Sequence, residues 1–163
     1  APNINIVKDP RWGRLQETPG EDPYLTAAYA IGYVTGIQGP PGQYLQASSC
    51  CKHFAAYSEE NWEGVTRYEF DAIVSPQQWA DTYAVPFQAC VVGANVSGLM
   101  CSYNALNGVP TCADQDLLST TAREQWGFEG YVTGDCGAAG DVWNPHHYGK
   151  TPAESAADTV KAG

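Results

Sequence analysis

Residues 130–142 read Gly130-Tyr131-Val132-Thr133-Gly134-Asp135-Cys136-Gly137-Ala138-Ala139-Gly140-Asp141-Val142. A short β-prone run at 131–133 leads to an acid, Asp135, and small residues follow. Small residues at the mouth of a strand let a large group approach the backbone. A carboxylate there can face a ligand. The plainer alternative is that Asp135 caps a turn or the next helix. The rest of the chain decides between them.

Upstream, the same strand-then-loop arrangement recurs. Residues 3–7 alternate polar and apolar, 45–54 form a second β-prone run and 96–103 a third. Helical signals fall between them. Asp22-Pro23 places an N-cap before a proline at the first helical position, for a helix over 22–38 closed by Gly39-Pro40-Pro41-Gly42. Ser75-Pro76-Gln77-Gln78 is a capping box and starts a helix over 76–92. A third helix runs from 113 or 114 to 126, stopped by Gly127. Thr151-Pro152-Ala153-Glu154 repeats the box before a last helix ending at Gly163. Residues 68–74 alternate and read as a β-ribbon.

Strands alternating with helices imply parallel strands joined by helical crossovers. The expected fold class is therefore α/β, and four units correspond to about half of a (β/α)8 TIM-like barrel. No Gly-x-Gly-x-x-Gly or Walker pattern links a strand to a helix, which removes the usual nucleotide readings. Half a barrel would expose strand edges, so the isolated chain is expected to be poorly stable.

The 163 residues carry a net charge of -10, which disfavours nucleic acid and anionic membrane as partners. No apolar run is long enough to span a bilayer. Six cysteines suit a disulfide-bonded secreted protein better than a zinc site, because no C-x-x-C is present. Cys101 and Cys112 flank one loop and are the first pair expected. Cys50 and Cys51 point to opposite faces of their strand, so only one should reach Cys90 on the following helix. Asn95-Val96-Ser97 is a glycosylation sequon. No initiating Met or signal peptide stands at Ala1, and the chain stops as a helix ends. A fragment of a longer mature protein is expected.

In parallel βα folds, functional groups gather where strands hand over to helices. Arg11, Trp12, Arg14 and Glu17 follow the first strand. Lys52 and His53 end the second, Tyr103 and Asn104 the third, and Asp135 the fourth. Arg14 and Glu17 could equally form a surface ion pair, and Tyr103 could serve packing alone. Adjacent His146 and His147 would point apart, so no metal site is expected there. Trp12, Trp62 and Trp143 could floor a sugar site or close a barrel rim.

These residues lie in motifs that resemble glycoside hydrolase family 3. The motifs are Asp9-Pro10-Arg11-Trp12-Gly13-Arg14, Glu17-Thr18-Pro19-Gly20-Glu21-Asp22-Pro23, Lys52-His53-Phe54, the run from Met100 to Pro110, and Gly134-Asp135-Cys136. Secreted plant and fungal β-xylosidases, and bifunctional xylosidase/arabinofuranosidases, are the most similar members. The resemblance implies a retaining β-glycosidase that releases terminal xylose or arabinose from xylo-oligosaccharides or aryl glycosides, without a cofactor. It makes Asp135 the nucleophile. Arg14, Lys52 and His53 would hold sugar hydroxyls, Tyr103 would hydrogen-bond the nucleophile, and Met100 would line the pocket. Arg67 lies near a further sugar-contacting position, at a different spacing.

Arg14, Lys52 and Tyr103 would supply positive charge and a hydrogen bond to a carboxylate. Lys and His donors on sugar hydroxyls can tighten as the ring flattens toward an oxocarbenium-like state. The resemblance places residues 1–163 inside the N-terminal catalytic barrel domain. The acid/base glutamate would come from an α/β sandwich domain outside this chain, and a further carboxylate from upstream. The chain would pack on those missing parts, and alone it should not turn over a β-xyloside. Two positions depart from the family pattern, Gly134 for the usual Ser and Gly137 for a frequent acid. They motivate one alternative, an inactive sugar-binding homologue. Another is a β-glucosidase of the same family. The Pro-Gly-His run of the family's N-acetylhexosaminidases is absent after Lys52-His53.

Overall fold

The computed structural model describes residues 2–163. Helix α1 (Pro23–Gln38) begins where its caps dictate. The Asp22 carboxylate accepts from the Tyr24 and Leu25 amides at 2.8 and 3.2 Å, and Pro23 supplies the first turn. Strand β1 (Cys50–Phe54) follows, then a hairpin of β2 (Asn61–Trp62) and β3 (Val65–Thr66). That hairpin turns at Glu63-Gly64, both at positive φ, the geometry that matches strand twist. Strand β4 (Asp71–Ala72) is all that forms of the expected ribbon.

The expected helix over 76–92 is present as a series of pieces. They are α2 (Pro76–Gln78), a π-helical turn at Trp79–Tyr83, α3 (Ala84–Gln88) and a second π turn at Ala89–Gly93. Its capping box is complete, with Ser75 and Gln78 each accepting the other's amide. Pro86, inside α3, has no N–H to give to the turn before it, and the ladder widens on both sides. Strand β5 (Gly98–Cys101) leads into the short β6 (Ala105–Leu106) and β7 (Val109–Pro110). A 3-10 turn (Thr111–Ala113) and a π-helical segment (Asp116–Gln125) precede β8 (Tyr131–Gly134). Then come α4 (Ala138–Asp141) and α5 (Pro152–Ala162). The second capping box is half made. Thr151 accepts from the Glu154 amide, but the Glu154 carboxylate reaches the amide of Lys150 instead.

The main sheet runs β1-β5-β8, all parallel, in sequence order. Consecutive strands are therefore neighbours, as in a barrel wall, and the chain is part of a (β/α)8-type barrel. Residues 3–7 lie beside β1, but only Asn3 forms a bridge, to Lys52. The ladder ends early because a side chain replaces it at the next step, where Asn5 pairs with the backbone of His53. Residues 45–49 are loop, so β1 is shorter than expected. A second, three-stranded sheet (β4-β6-β7) carries the rim.

The core lies between the main sheet and the helices. Cys51, Leu99 and Cys101 face it from the strands, and Ala30, Val34, Phe87, Val91 and Leu118 from the helical side. The Phe54 ring stacks among Phe87, Trp79 and Trp126 with centroids 4.9 to 6.3 Å away. Gly130 allows the closest approach. A Cβ there would stand 2.3 Å from the Ser97 carbonyl oxygen, so β8 could not enter the sheet as it does.

Two disulfides tie the strands to this layer, Cys51–Cys90 and Cys101–Cys112. Both pairings match the expectation, with Cys51 as the member of the Cys50–Cys51 pair that faces the helix. Cys50 and Cys136 stay reduced. The sequence separations are 39 and 11 residues. By loop entropy the two crosslinks contribute roughly 4 and 3 kcal/mol. Mass mapping of the unreduced full-length protein is expected to return these two pairs. Replacing Cys51 and Cys90 by Ala should lower the urea midpoint more than replacing Cys101 and Cys112.

Candidate active site

Asp135 follows β8 directly, and its amide continues the ladder by donating to the Cys101 carbonyl at 3.0 Å. Its carboxylate does not cap α4, whose N-cap is Gly137 with no side-chain bond. One oxygen accepts from the Cys136 amide at 2.8 Å. The other points across the strand ends and lies 3.3 Å from His53 Nε2. Helix capping is thereby set aside, while one oxygen does hold the turn that Asp135 begins. Gly137 has φ +86°, a left-handed conformation that a side chain would strain. Gly134 is different, because a Cβ there would meet only ordinary contacts at 3.7 Å and beyond. Nothing in the structure explains why this position lacks the serine.

His53 is fully buried, and Asn5 fixes it. The Asn5 amide nitrogen donates to the His53 carbonyl at 2.7 Å. The Asn5 oxygen accepts from the His53 backbone N–H at 2.8 Å and faces Nδ1 at 3.1 Å. The Asn5 oxygen at Nδ1 and the Asp135 oxygen at Nε2 can both only accept, and the single proton of the neutral ring goes to the shorter contact, Nδ1 at 3.1 Å against 3.3 Å, leaving Nε2 its lone pair. Burial, then the charges of Arg14 and Lys52, hold the imidazole down to a pKa of about 3. At neutral pH the contact with Asp135 is thus not an ion pair. The Nε2 atom is an acceptor, 3.4 Å from Arg14 Nη2. In that tautomer Nε2 can accept a hydroxyl proton and cannot donate one.

Arg14 follows the expected ion-pair geometry and also turns into the site. It grips Glu17 with two bonds of 2.7 and 2.8 Å. Asn3 donates to the same carboxylate at 3.2 Å. Arg14 first, then Asn3 and Lys52, pull the Glu17 pKa down to about 2. Lys52 is half-buried; its backbone bonds to Pro2 and Ile4, and its ammonium makes no hydrogen bond among the described residues. Met100 alternates with Leu99 and Cys101, which face the helices, so it sits on the opposite, inner face beside Thr133.

Tyr103 lies two residues beyond β5, nearly buried between the rings of Tyr57 and Tyr68. Burial first, then the Asp135 carboxylate beside it, pushes its phenol up to about 12. The Arg67 guanidinium stacks 4.8 Å above the same ring. His146 Nε2 donates to the Tyr103 carbonyl at 2.7 Å, while His147 turns toward Trp143. The two histidines therefore diverge.

Tyr57 and Glu60 join these groups and were not singled out from the sequence. Buried Tyr57 sits edge-on to His53 and Trp12, under Arg14. Its hydroxyl donates to Glu60, which also receives Trp12 Nε1 at 3.3 Å and Arg67 at 3.4 Å. Trp12 is thus a buried wall. Trp62 is half-exposed under the Arg11 guanidinium, at 4.2 Å, beside a cleft of about 260 Å³ next to the site. The signal that could have found Asn5 is the polar pair Asn3 and Asn5, two residues apart beside a strand ending in Lys-His.

The whole chain, residues 1–163, matches the glycosyl hydrolase family 3 N-terminal domain. The chain belongs to this family. It is 52% identical to probable β-D-xylosidase 7 of Arabidopsis thaliana, over all of this chain and 22% of that protein. It is 51% identical to β-xylosidase/α-L-arabinofuranosidase 1 of Medicago sativa subsp. varia, over all of this chain and 21% of that protein. The solved family 3 exo-β-xylosidase XlnD, in complex with a xylobiose aziridine activity-based probe, superposes with a TM-score of 0.97 at 43% identity. That match covers all of this chain and 22% of XlnD. The family 3 chain thus spans about a fifth of the length of the relatives it matches.

Two outcomes follow from the His53 clasp. Asn5→Leu leaves the His53 N–H and C=O unpaired, and is expected to cost about 2–4 kcal/mol in urea unfolding of the full-length protein. His53 is depressed from 6.5 to about 3 on folding, so between those values the unfolded chain binds one proton more. Its contribution to stability is complete above about 6.5 and is lost as pH falls toward 3. In His53→Gln the slope of stability against pH in that window should drop by one proton.

Proposed function

We propose that the full-length protein is a β-glycosidase that releases terminal xylose or arabinose from hemicellulose-derived oligosaccharides. The observation that carries this reading is the unshared Asp135 oxygen, aimed across the strand ends at His53 beside Arg14. A carboxylate so placed can attack the anomeric carbon and form a covalent glycosyl intermediate, which water then hydrolyses. Arg14, Lys52 and the bare Nε2 of His53 would fix the sugar hydroxyls, and Met100 would wall the pocket. Tyr103 would hold the nucleophile by its phenol.

A retaining mechanism needs a second carboxyl about 5–5.5 Å from the nucleophile, acting as acid and then base. In this reading it is a glutamate of an α/β sandwich domain outside the chain, and residues 1–163 are part of the barrel domain. Tyr24 and Leu25 on α1 are 80% and 54% exposed, and β8 is an open edge. These surfaces would pack against the remainder of the barrel. The disulfides favour an oxidising, extracellular setting, and no helix among the described residues is long and apolar enough to cross a membrane.

Trapping is the decisive experiment. A 2-deoxy-2-fluoro xyloside should leave a covalent adduct on the Asp135 peptide of the full-length protein. Asp135→Asn should abolish turnover of an aryl β-xyloside, by a factor of about 10³ or more. Normal turnover in that variant removes Asp135 from the role. Faster cleavage of an aryl glucoside than of the xyloside would move the substrate to glucose. Turnover by residues 1–163 alone would overturn the missing acid/base group.

A further inference from the structure

The loop leading from the Ala89–Gly93 turn into β5 carries Asn95-Val96-Ser97, the one Asn-X-Ser/Thr triplet in the sequence. Its geometry is that of a fixed, outward tip. Asn95 is exposed and has φ +49°. Its amide donates to the Val91 carbonyl at 3.0 Å. A single buried glutamine holds the triplet at both ends. Gln38 Nε2 donates to the Asn95 carbonyl at 3.0 Å, and Gln38 Oε1 accepts from the Ser97 amide at 2.8 Å. The Asn95 carboxamide itself makes no hydrogen bond among the described residues.

Asn95 borders a cleft of about 300 Å³, walled by Pro40, Pro41, Leu45 and Val92. Leu45 and Val92 are 55% and 64% exposed there. The cleft lies at the N-terminal end of β5, and the Asp135 site lies at the opposite end of the sheet. Four residues of strand separate the two levels, roughly 13 Å at 3.3 Å per residue.

We propose that Asn95 is an N-glycosylation site, and that the first sugar lies over the cleft walled by Pro40, Leu45 and Val92. The donor is a polyisoprenyl-diphosphate-linked oligosaccharide. Asn95 Nδ2 forms a bond to C1 of its reducing-end sugar, and the bond from C1 to the diphosphate oxygen breaks. Polyisoprenyl diphosphate leaves, and a base of the transferase takes one amide proton. In the folded chain the Ser97 hydroxyl is occupied. It donates to the Ser49 carbonyl at 2.9 Å, and also contacts Ser48 and the Ser49 amide. Transfer therefore precedes closure of this loop, on the nascent chain. The glycan covers Leu45 and Val92 and leaves the strand mouths open.

The test is peptide mapping of the full-length protein secreted from a eukaryotic host, before and after peptide N-glycosidase. The expected result is an Asn95 peptide that carries glycan and is recovered as Asp after release. Asn95→Asp, which keeps a residue tolerant of the left-handed turn, should run as a band smaller by one glycan and hydrolyse aryl xyloside at the unaltered rate. Ser97→Thr should retain the glycan. An unmodified Asn95 peptide from the secreted protein overturns the proposal. Loss of turnover in the Asn95→Asp variant overturns the placement of the glycan away from the site. The mass readout does not involve hydrolysis, so it stands or falls separately from the glycosidase reading.

Discussion

The clasp of Asn5 on His53 is the contact on which the rest of the site depends. One carboxamide pairs with the N–H and the C=O of a single residue, where a strand ladder would otherwise place a neighbouring backbone. The same oxygen meets Nδ1 of the ring. Backbone position, ring rotation and tautomer are therefore set together. A buried, neutral imidazole can then stand between a guanidinium and a carboxylate without adding charge to either. Asn107 repeats the device at the rim, where it holds the N–H and C=O of Val74 and keeps β4 beside β6.

Around His53 the charges are ordered by hydrogen bonds that leave selected atoms open. Glu17 absorbs one edge of Arg14, and Asn3 keeps Glu17 in place. The Arg14 fork is pre-organised, so it stands beside His53 without ligand. Glu60 works in the same way one layer out, collecting Tyr57, Trp12 and Arg67. Asp135 keeps one oxygen in its own turn and one toward the strand mouth. Groups aligned before a ligand arrives cost no reorganisation when charge develops.

The strand β1 shows why site and core can share one short segment. Successive side chains leave a strand on opposite faces. Cys51 goes outward to the disulfide with Cys90 and Lys52 to the opposite face, and the register shift between Cys51 and Phe54 returns Phe54 to the core side, in the aromatic cluster. Crosslinks on the outer face stiffen the same strand that presents Lys52 and His53. The outer layer thus supports the precision of the inner one.

The sequence by itself determined the alternation of strands and helices, because caps, glycines and prolines act within a few residues. Asp22-Pro23 and the Ser75 box start helices where they were read. It also determined which residues meet at the strand ends, since parallel order puts every strand's C-terminus on one side. Loop length pointed to Cys101–Cys112, and strand alternation showed only that one of Cys50 and Cys51 would reach Cys90; the fold chose Cys51. Tertiary structure alone decided the tautomer of His53, because Asn5 lies 48 residues away in sequence and its side chain replaces a ladder bond. It alone decided the break-up of the 76–92 helix, the hairpin at 61–66 and the convergence of Tyr57 and Glu60 on the site. It also decided where the two oxygens of Asp135 go, one to the Cys136 amide of its own turn and one across the strand ends toward His53.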